Sequence, residues 1–386
     1  MTPPPHNHKF PPSGSGLVSR SAFPHKHAIP EKDQKRRFQS LDALRAVACF
    51  LVIWQHVSES LLRHSSGGQW TSQLANYFDF GRIGVVAFFC ISGFVIPRTL
   101  EGNRLPALRA FALNRFFRLY PIYWVALAIG IYSLWLVSGR QLPLSTILAN
   151  VTMGATFAGE PHVMGLFWTL EIELVFYVAT ALLYLAFGRY KLLSALVGFA
   201  LAYRLWKLDL LKDTPGNLPI LGYLLAIMFT GSAMRCIYDL KQEPLFSKSE
   251  NWKKAARILF AITVYLVAQP VIEGIEKSFT ESDPVWNRYG WGHTLGLALF
   301  ALFFFLPQTP RWLSSAGRVT YSAYLLHAIV FTLIGRLWST QELPKTRLEL
   351  FILLTTLVTF AIAALSYRYI EKPSIRLGKR LASKFQ

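Results

Sequence analysis

The side chains best suited to acid–base chemistry lie inside apolar stretches of the sequence. Segment 42–63 carries Arg45 and His56 eleven residues apart, about three helical turns, so both lie on one helix face roughly 16 Å apart. A neutral imidazole can take a proton from a hydroxyl group near pH 7, which makes His56 the candidate general base. From position alone, an inert histidine bonded to a neighbouring helix explains it equally well.

Two carboxylates in the segment FWTLEIELVFYV point in different directions. Glu171 and Glu173 lie about 200° apart around a helix, so they cannot both face one cavity. Glu173 shares its face with Thr169 and Tyr177, which makes it the better candidate, and Glu171 must find another partner. The alternative for Glu173 is a structural bond to an arginine such as Arg82.

Two further groups of residues combine charge, aromatic rings and helical spacing. Tyr321, Tyr324 and His327 recur every three residues in TYSAYLLH, so they share a helix face, where aromatic residues also serve as packing. Arg115 and Arg118 are one turn apart in RAFALNRFFRLYPIYW, in a predicted cytoplasmic loop at a helix start. Paired guanidinium groups suit phosphate, although charge alone favours a positive anchor at the membrane surface.

The composition indicates that lipid surrounds the elements holding these residues. The chain of 386 residues is 53% hydrophobic and only 16% charged. A bilayer core about 30 Å thick is crossed by roughly 20 apolar helical residues, and such stretches recur from Leu41 almost to the end. We predict spans near 42–62, 80–99, 119–138, 164–187, 190–207, 218–237, 256–273, 290–306, 318–337 and 348–369. The predicted fold is therefore an all-α integral membrane bundle of about ten transmembrane helices.

Segment 143–157 is apolar but too short to cross a bilayer. It is predicted to be an interfacial or re-entrant helix, with an eleventh crossing as the alternative. The three cysteines each lie in an apolar stretch without the spacing of a metal or redox pair, so they are interpreted as packing residues and no metal site is predicted.

The distribution of basic residues predicts the orientation. The flanks on the N-terminal side of the membrane carry more than twice as many Lys and Arg residues as the opposite loops, which places both termini in the cytoplasm. The net charge of +19 follows largely from this topology, and no nucleic-acid-binding motif accompanies it. Residues 1–38 are predicted to be a disordered cytoplasmic tail, 39–372 the membrane domain and 373–386 a basic cytoplasmic tail.

Six motifs in order resemble the membrane-bound acyltransferase 3 family. They are LDALRAVACFLVIWQH, with Arg45 and His56 matching arginine-x10-histidine; FFCISGFVIPR, with Ser92; NRFFRLYPIYW, with Arg115 and Arg118; FWTLEIELVFYV, with Trp168, Glu173 and Tyr177; TYSAYLLH, with Tyr324 and His327; and SYRYIEKPSIRLGKRL. The sequence departs from the family pattern at Glu171, where Ser is usual, and at Leu174, where a second Glu is frequent.

The resemblance implies transfer of a short acyl group, acetyl in the simplest case, from acyl-CoA to a hydroxyl of an envelope carbohydrate. It assigns catalysis to His56 and Glu173. Substrate binding is assigned to Arg45, Arg115, Arg118, Ser92, Trp168, Tyr177, Tyr324 and His327. Acyl-CoA is expected as co-substrate with no permanently bound cofactor, and membrane lipid, the carbohydrate acceptor and polysaccharide-assembly proteins as partners, in the bacterial inner membrane. A soluble esterase-like domain is not expected after the last span, so transfer is expected to finish in the membrane domain or pass to another protein.

Two other classes of function compete with this interpretation. A proton-coupled transporter also uses His, Glu and Arg within spans, but it would not consume a donor, and no inverted repeat is evident. A passive scaffold of an envelope assembly complex would leave the intramembrane charges unexplained.

Overall fold

A computed structural model describes residues 31–62, 65–208, 221–240, 249–281, 285–306, 308–340 and 347–385. Its helices are α1 (Glu31–Leu61), α2 (Gln69–Phe78), α3 (Phe80–Val95), α4 (Arg104–Gly130), α5 (Leu144–Val151), α6 (Trp168–Phe187), α7 (Lys191–Lys207), α8 (Leu221–Tyr238), α9 (Glu250–Thr280), α10 (Val285–Asn287), α11 (His293–Phe305), α12 (Arg311–Gly317), α13 (Thr320–Thr340), α14 (Leu348–Ser366) and α15 (Lys372–Ala382). These ranges contain no β-strand, as the sequence predicts.

The chain is an all-α, multi-pass integral membrane protein. Within the described residues, eight helical stretches are long and apolar enough to cross a bilayer. They are Gln39–Leu61, Phe80–Thr99, Arg104–Ser138, Gly165–Phe187, Leu221–Tyr238, Glu250–Thr280, Thr320–Ser339 and Leu348–Ala382. The other two predicted spans, 190–207 and 290–306, correspond to α7 and to the shorter apolar stretch Gly290–Phe305.

Segments predicted to be cytoplasmic meet at one end of the bundle. The Ser314 hydroxyl donates to the Gln39 carbonyl at 2.9 Å, which ties the start of the first span to α12. Lys191 Nζ lies 3.0 Å from Glu101 Oε1, which joins the start of α7 to the loop before α4. The alternation of loops along the chain is therefore consistent with these contacts, while the side that faces the cytoplasm stays a prediction.

Segments predicted to lie outside the cytoplasm meet at the other end. Arg288 Nε lies 2.9 Å from Asp79 Oδ2, and the Thr71 hydroxyl donates to Glu349 Oε1 at 2.5 Å. These bonds join the segment after the span Gln39–Leu61 to the segment after Glu250–Thr280 and to the first turn of α14, so they hold the outer end of the bundle together.

Close helix packing sets the position of α3 at the centre of the bundle. A Cβ atom on Gly93 would lie 2.1 Å from the Met228 carbonyl oxygen of α8, and one on Gly84 would lie 2.5 Å from the Ala48 carbonyl oxygen of α1. Only glycine allows backbones to approach this closely, the usual device for packing helices in lipid. Since Gly93 faces α8, its neighbour Ser92 is turned toward α6.

Two helices begin earlier than predicted. α1 starts at Glu31, so the predicted disordered tail ends sooner than residue 38; its residues 1–30 lie outside the described part of the chain. α4 starts at Arg104, which puts Arg115 and Arg118 three to four turns inside a helix instead of in a loop. Both extensions are rich in good helix formers such as Lys, Arg, Gln, Leu and Ala. α15 also packs along α4, with Gly378 against Phe117.

Segment 143–157 does not cross the membrane. Its helix α5 has 8 residues, about 12 Å of length, and is followed by turns. The Asn150 side chain holds these turns, because its Nδ2 donates to the Pro161 carbonyl at 2.9 Å and its Oδ1 accepts from the Val163 amide at 3.0 Å. A helix of this length is too short for an eleventh crossing, and the interfacial or re-entrant position of the segment stays a prediction.

Candidate active site

A cavity of about 110 Å³ lies between α1, α3, α4, α6 and α13. Seven of the ten predicted site residues line it: Arg45, Ser92, Arg115, Arg118, Glu173, Tyr177 and Tyr324. His56, His327 and Trp168 do not. Packing thus gathers side chains that are more than 270 positions apart in the sequence into one polar space inside an apolar bundle.

Glu173 is the acceptor for two hydroxyl groups in this cavity. Ser92 Oγ donates to Glu173 Oε1 at 2.9 Å, and the Tyr177 hydroxyl donates to the same oxygen at 2.6 Å. Thr169, one turn earlier on α6, also lines the cavity, so the predicted polar face of this helix is confirmed. Arg82 is not the partner of Glu173 in these hydrogen bonds, in contrast to the structural alternative.

Two guanidinium groups of α4 border the cavity in different surroundings. Arg115 lies over the rings of Phe111 and Tyr177, at 5.6 and 5.5 Å, and its buried Nε has no hydrogen-bond partner among the described residues. Arg118 Nη1 is 3.9 Å from the buried carboxylate of Glu371, and its side chain is 38% exposed. The pair therefore offers positive charge with donor capacity left for a ligand.

Arg45 enters the cavity from α1. Its Nη1 forms an ion pair with Asp42 Oδ1, one turn nearer the helix start. The bond orients the guanidinium along the helix, with its side chain still 24% exposed. Asp42 and Arg45 are three residues apart and therefore lie on the same face of α1.

His56 is paired with His327 of α13. His56 Nδ1 lies 2.8 Å from His327 Nε2, and the planes of the two rings are within 7° of parallel, so the rings meet edge to edge along this hydrogen bond. His327 Nδ1 in turn lies 2.6 Å from the Tyr324 carbonyl oxygen, and the His327 side chain is fully buried. Two histidines 271 positions apart thus form one hydrogen-bonded unit.

The Tyr324 carbonyl fixes the tautomers of both rings when they are neutral. A carbonyl only accepts, so His327 Nδ1 must carry the proton and His327 Nε2 must present its lone pair. His56 then donates from Nδ1 to that lone pair. Its remaining nitrogen, Nε2, is left as the basic atom.

An aromatic wall separates the cavity from the histidine pair. Phe88 and Tyr324 both line the cavity and their ring centroids are 5.9 Å apart, edge to face. On the far side, the Tyr324 ring is 5.7 Å from the ring of His327. The Tyr324 hydroxyl is held by Thr169 Oγ1 at 2.8 Å. The predicted face of Tyr321, Tyr324 and His327 therefore exists, with its tyrosines in the cavity and its histidine beyond the wall.

Trp168 lies apart from the predicted site. The Arg82 guanidinium stacks over its ring at 5.5 Å, at the end of α6 nearest the outer loops. Trp168 is the first residue of α6 and does not line the cavity, although the next two residues, Thr169 and Leu170, do. Successive residues point about 100° apart around a helix, so the Trp168 side chain faces another side of α6.

Glu171 binds the segment between α5 and α6, residues 152–164, which we call the outer segment. Its Oε1 accepts from the Thr156 amide at 2.9 Å, and its Oε2 lies 3.3 Å from His162 Nε2. The carboxylate is 3% exposed and points away from Glu173, as the helix geometry predicts. Sequence reasoning missed His162 and Thr156, since nothing local shows which part of a loop folds back onto a helix.

Comparisons with known proteins agree with the resemblance. The sequence model of the acyltransferase 3 family, described as an acyltransferase domain, matches residues 38–368. The chain is 26% identical over 383 residues to the peptidoglycan O-acetyltransferase OatA of Listeria monocytogenes, covering 88% of this chain and 56% of that protein. It is 25% identical over 376 residues to nodulation protein 10 of Rhizobium leguminosarum bv. viciae, covering 89% of this chain and 95% of that protein.

The chain covers different shares of the length of the two relatives. It spans just over half the length of the Listeria protein and nearly all of the Rhizobium protein. No solved structure matches the chain significantly.

Proposed function

Because the chain belongs to the acyltransferase 3 family, we propose that it is a membrane O-acyltransferase. The donor is acyl-CoA on the cytoplasmic side, with acetyl as the transferred group. The acceptor is a hydroxyl of an envelope carbohydrate such as lipopolysaccharide O-antigen or exopolysaccharide. A carbohydrate acceptor is supported by the similarity to the Listeria relative, which is a peptidoglycan O-acetyltransferase. The proposed location is the bacterial inner membrane.

The observation that carries this proposal is the hydrogen-bonded chain from His56 through His327 to the Tyr324 carbonyl. These hydrogen bonds orient the His56 ring and leave the lone pair of its Nε2 available to accept a proton. When that nitrogen accepts a proton, the positive charge is stabilised through His327 by the carbonyl dipole. A general base with an orienting partner is the arrangement that activates a hydroxyl nucleophile.

The donor enters where Arg115 and Arg118 border the cavity. The phosphates of coenzyme A bind these guanidinium groups, since a planar fork with several donors matches phosphate oxygens. The pantetheine arm then lies along the cavity toward Tyr324, with Arg45 on its flank. The thioester reaches the aromatic wall of Phe88 and Tyr324, and a shift of these side chains brings it beside His56.

In the chemical step, the acceptor hydroxyl approaches His56 from the outer side and attacks the thioester carbonyl carbon. His56 Nε2 takes the hydroxyl proton as the new C–O bond forms. Collapse of the tetrahedral intermediate breaks the C–S bond. The coenzyme A thiolate then takes the proton from His56 Nε2, which returns His56 to its neutral form. Donor and acceptor remain on opposite sides of the membrane throughout.

Glu173 contributes by holding Ser92 and Tyr177. A carboxylate that accepts from two hydroxyl groups fixes both in one geometry, and charge-assisted bonds of this kind are about twice as strong as neutral ones. Its hydroxyl partners then present defined oxygens to the bound acyl chain. We therefore assign Glu173 as a positioning residue of the donor cavity.

Reconstitution tests the reaction directly. The purified full chain is placed in vesicles with acetyl-CoA labelled in the acetyl group on one side and candidate glycans on the other. We expect label in the glycan and release of free coenzyme A in equal amounts. Transport of a solute without donor consumption would favour the transporter, and neither transfer nor donor consumption with any envelope glycan would contradict the proposal. Mass comparison of surface glycans from cells with and without the protein identifies the acceptor to use.

A further inference from the structure

A second cavity, of about 280 Å³, opens at the predicted cytoplasmic end of the bundle. Its charged lining consists of Arg98, Arg189, Lys191, Arg235, Glu101 and Asp239. Two ion pairs use part of this charge, Lys191 with Glu101 at 3.0 Å and Arg235 with Asp239 at 2.6 Å. Four cations against two carboxylates leave the lining positive, and that favours an anionic ligand.

A smaller, mostly apolar slot of about 30 Å³ continues from this cavity. The two share Pro97, Leu100, Tyr184 and Lys191. From there the slot runs between α6, α7 and α8, past Leu183, Ala195 and Phe229. Along α6 this direction leads from the helix end toward the middle of the bilayer, so charge gives way to apolar surface with increasing depth.

The second cavity is separate from the candidate active site. The turn after α3 divides them, because Val95 and Ile96 line the active-site cavity whereas Pro97 and Arg98 line the basic one. They have no lining residue in common. A donor bound at Arg115 and Arg118 therefore does not occupy the basic cavity.

We propose that this cavity and its slot bind one anionic phospholipid of the cytoplasmic leaflet. The phosphate lies among Arg98, Arg189 and Lys191, and one acyl chain follows the slot. The order of basic and apolar surface matches the order of headgroup and chain in a phospholipid, and basic pockets between helices on this side of a membrane suit anionic headgroups. The phosphates of coenzyme A share the headgroup chemistry, but a nucleotide has no chain to fill the slot.

Native mass spectrometry of the delipidated full chain, titrated with phosphatidylglycerol or phosphatidylcholine, tests the proposal. We expect one phosphatidylglycerol to bind about tenfold or more tightly than phosphatidylcholine. The double variant Arg98→Gln, Arg189→Gln changes two exposed side chains. It should lower the affinity for phosphatidylglycerol by about 25-fold, at about fivefold for each charge removed. Equal affinity of the wild-type chain for both lipids would overturn the proposal.

A matched control separates a site from general attraction. Arg376→Gln with Arg380→Gln removes the same charge from exposed positions of α15 at the same end of the bundle and should leave lipid binding unchanged. An equal loss in this control would show that the affinity belongs to the whole surface, which contradicts the proposal. Displacement of the lipid by added coenzyme A would assign the cavity to the nucleotide and contradict it as well.

The slot has its own test. Ala195 is buried in the slot wall, and Ala195→Leu fills it without changing charge. We expect weaker binding of long-chain phosphatidylglycerol but unchanged binding of its dihexanoyl form, with thermal unfolding as the check on folding. Unchanged binding of long-chain phosphatidylglycerol by a folded variant would show that the acyl chain does not lie in the slot, which contradicts that part of the proposal. If the variant does not fold, the charge variants alone decide the proposal.

Discussion

The two faces of α6 carry one carboxylate each, and their partners differ in kind. Glu173 accepts from two side-chain hydroxyls, those of Ser92 and Tyr177, inside the candidate active-site cavity. Glu171 accepts from a backbone amide and lies beside His162 in the outer segment. Side-chain partners can move with a ligand, whereas a backbone partner fixes the course of the chain. One face of the helix therefore serves the cavity and the other holds the scaffold.

The largest effect should come from replacing a histidine with glutamine at the candidate base, compared with the same replacement in the outer segment. His56→Gln keeps a hydrogen bond but removes the base, so turnover should fall by about 10² to 10⁴ while donor binding stays. His162→Gln, the matched control in the outer segment, should keep turnover near that of the wild type. Initial rates with labelled acetyl-CoA at matched protein levels give the comparison.

The same comparison extends to pH. Because only a neutral imidazole can accept the proton, the wild-type rate should fall as His56 becomes protonated in acid. The residual rate of His56→Gln should not show this fall. Near-normal transfer by His56→Gln would rule out the role of His56 and leave His327 as the next candidate.

Removing the charge of Glu173 should have the second largest effect. Glu173→Gln replaces a charged acceptor of two hydroxyl bonds, and a bond to a charged group contributes about 1.5–3 kcal/mol. If the geometry of Ser92 and Tyr177 matters in the transition state, kcat/KM should fall about tenfold to a hundredfold. Steady-state kinetics measure this, with thermal unfolding as the check that the bundle is intact. An unchanged kcat/KM would make Glu173 a structural residue like Glu171.

The donor side of the cavity should respond more weakly. Arg118→Lys keeps the charge but loses the planar fork, so affinity for acyl-CoA should fall about tenfold. The matched control is Arg109→Lys, an exposed residue of the same helix that stacks on Phe385 outside the cavity. Calorimetric titration of the purified chain with coenzyme A tests both. Equal affinities in all three proteins would make Arg118 an anchor at the membrane surface only.

The smallest effect on catalysis is expected at Glu171. Glu171→Gln weakens the bonds to Thr156 and His162, and a buried group left short of a partner costs about 1–3 kcal/mol. The free energy of unfolding should fall by that amount, while turnover of the folded protein stays within about twofold. Denaturant unfolding in detergent and kinetics on the same sample measure the two quantities. A large loss of turnover at unchanged stability would show that Glu171 also acts in the reaction, which contradicts the difference in role between the two faces of α6.

Helical periodicity alone determined much of this arrangement. The apolar stretches predicted the spans, and the angle between Glu171 and Glu173 predicted that they would face apart. The shared face of Thr169, Glu173 and Tyr177 followed from the same rule. These properties are local, because backbone geometry fixes them within a few residues. The motifs that resemble the acyltransferase 3 family were also legible from the sequence, and the family model confirmed the membership.

Only the tertiary structure decided which distant residues meet. The pairing of His56 with His327 joins residues 271 positions apart, and Ser92 reaches Glu173 across 81. The sequence placed His56 on the Arg45 face but could not show that an aromatic wall separates it from the cavity. Such contacts depend on how helices pack, at glycines such as Gly93 and through bulky side chains such as Phe88. Packing is a property of several helices at once, and no single stretch of sequence specifies it.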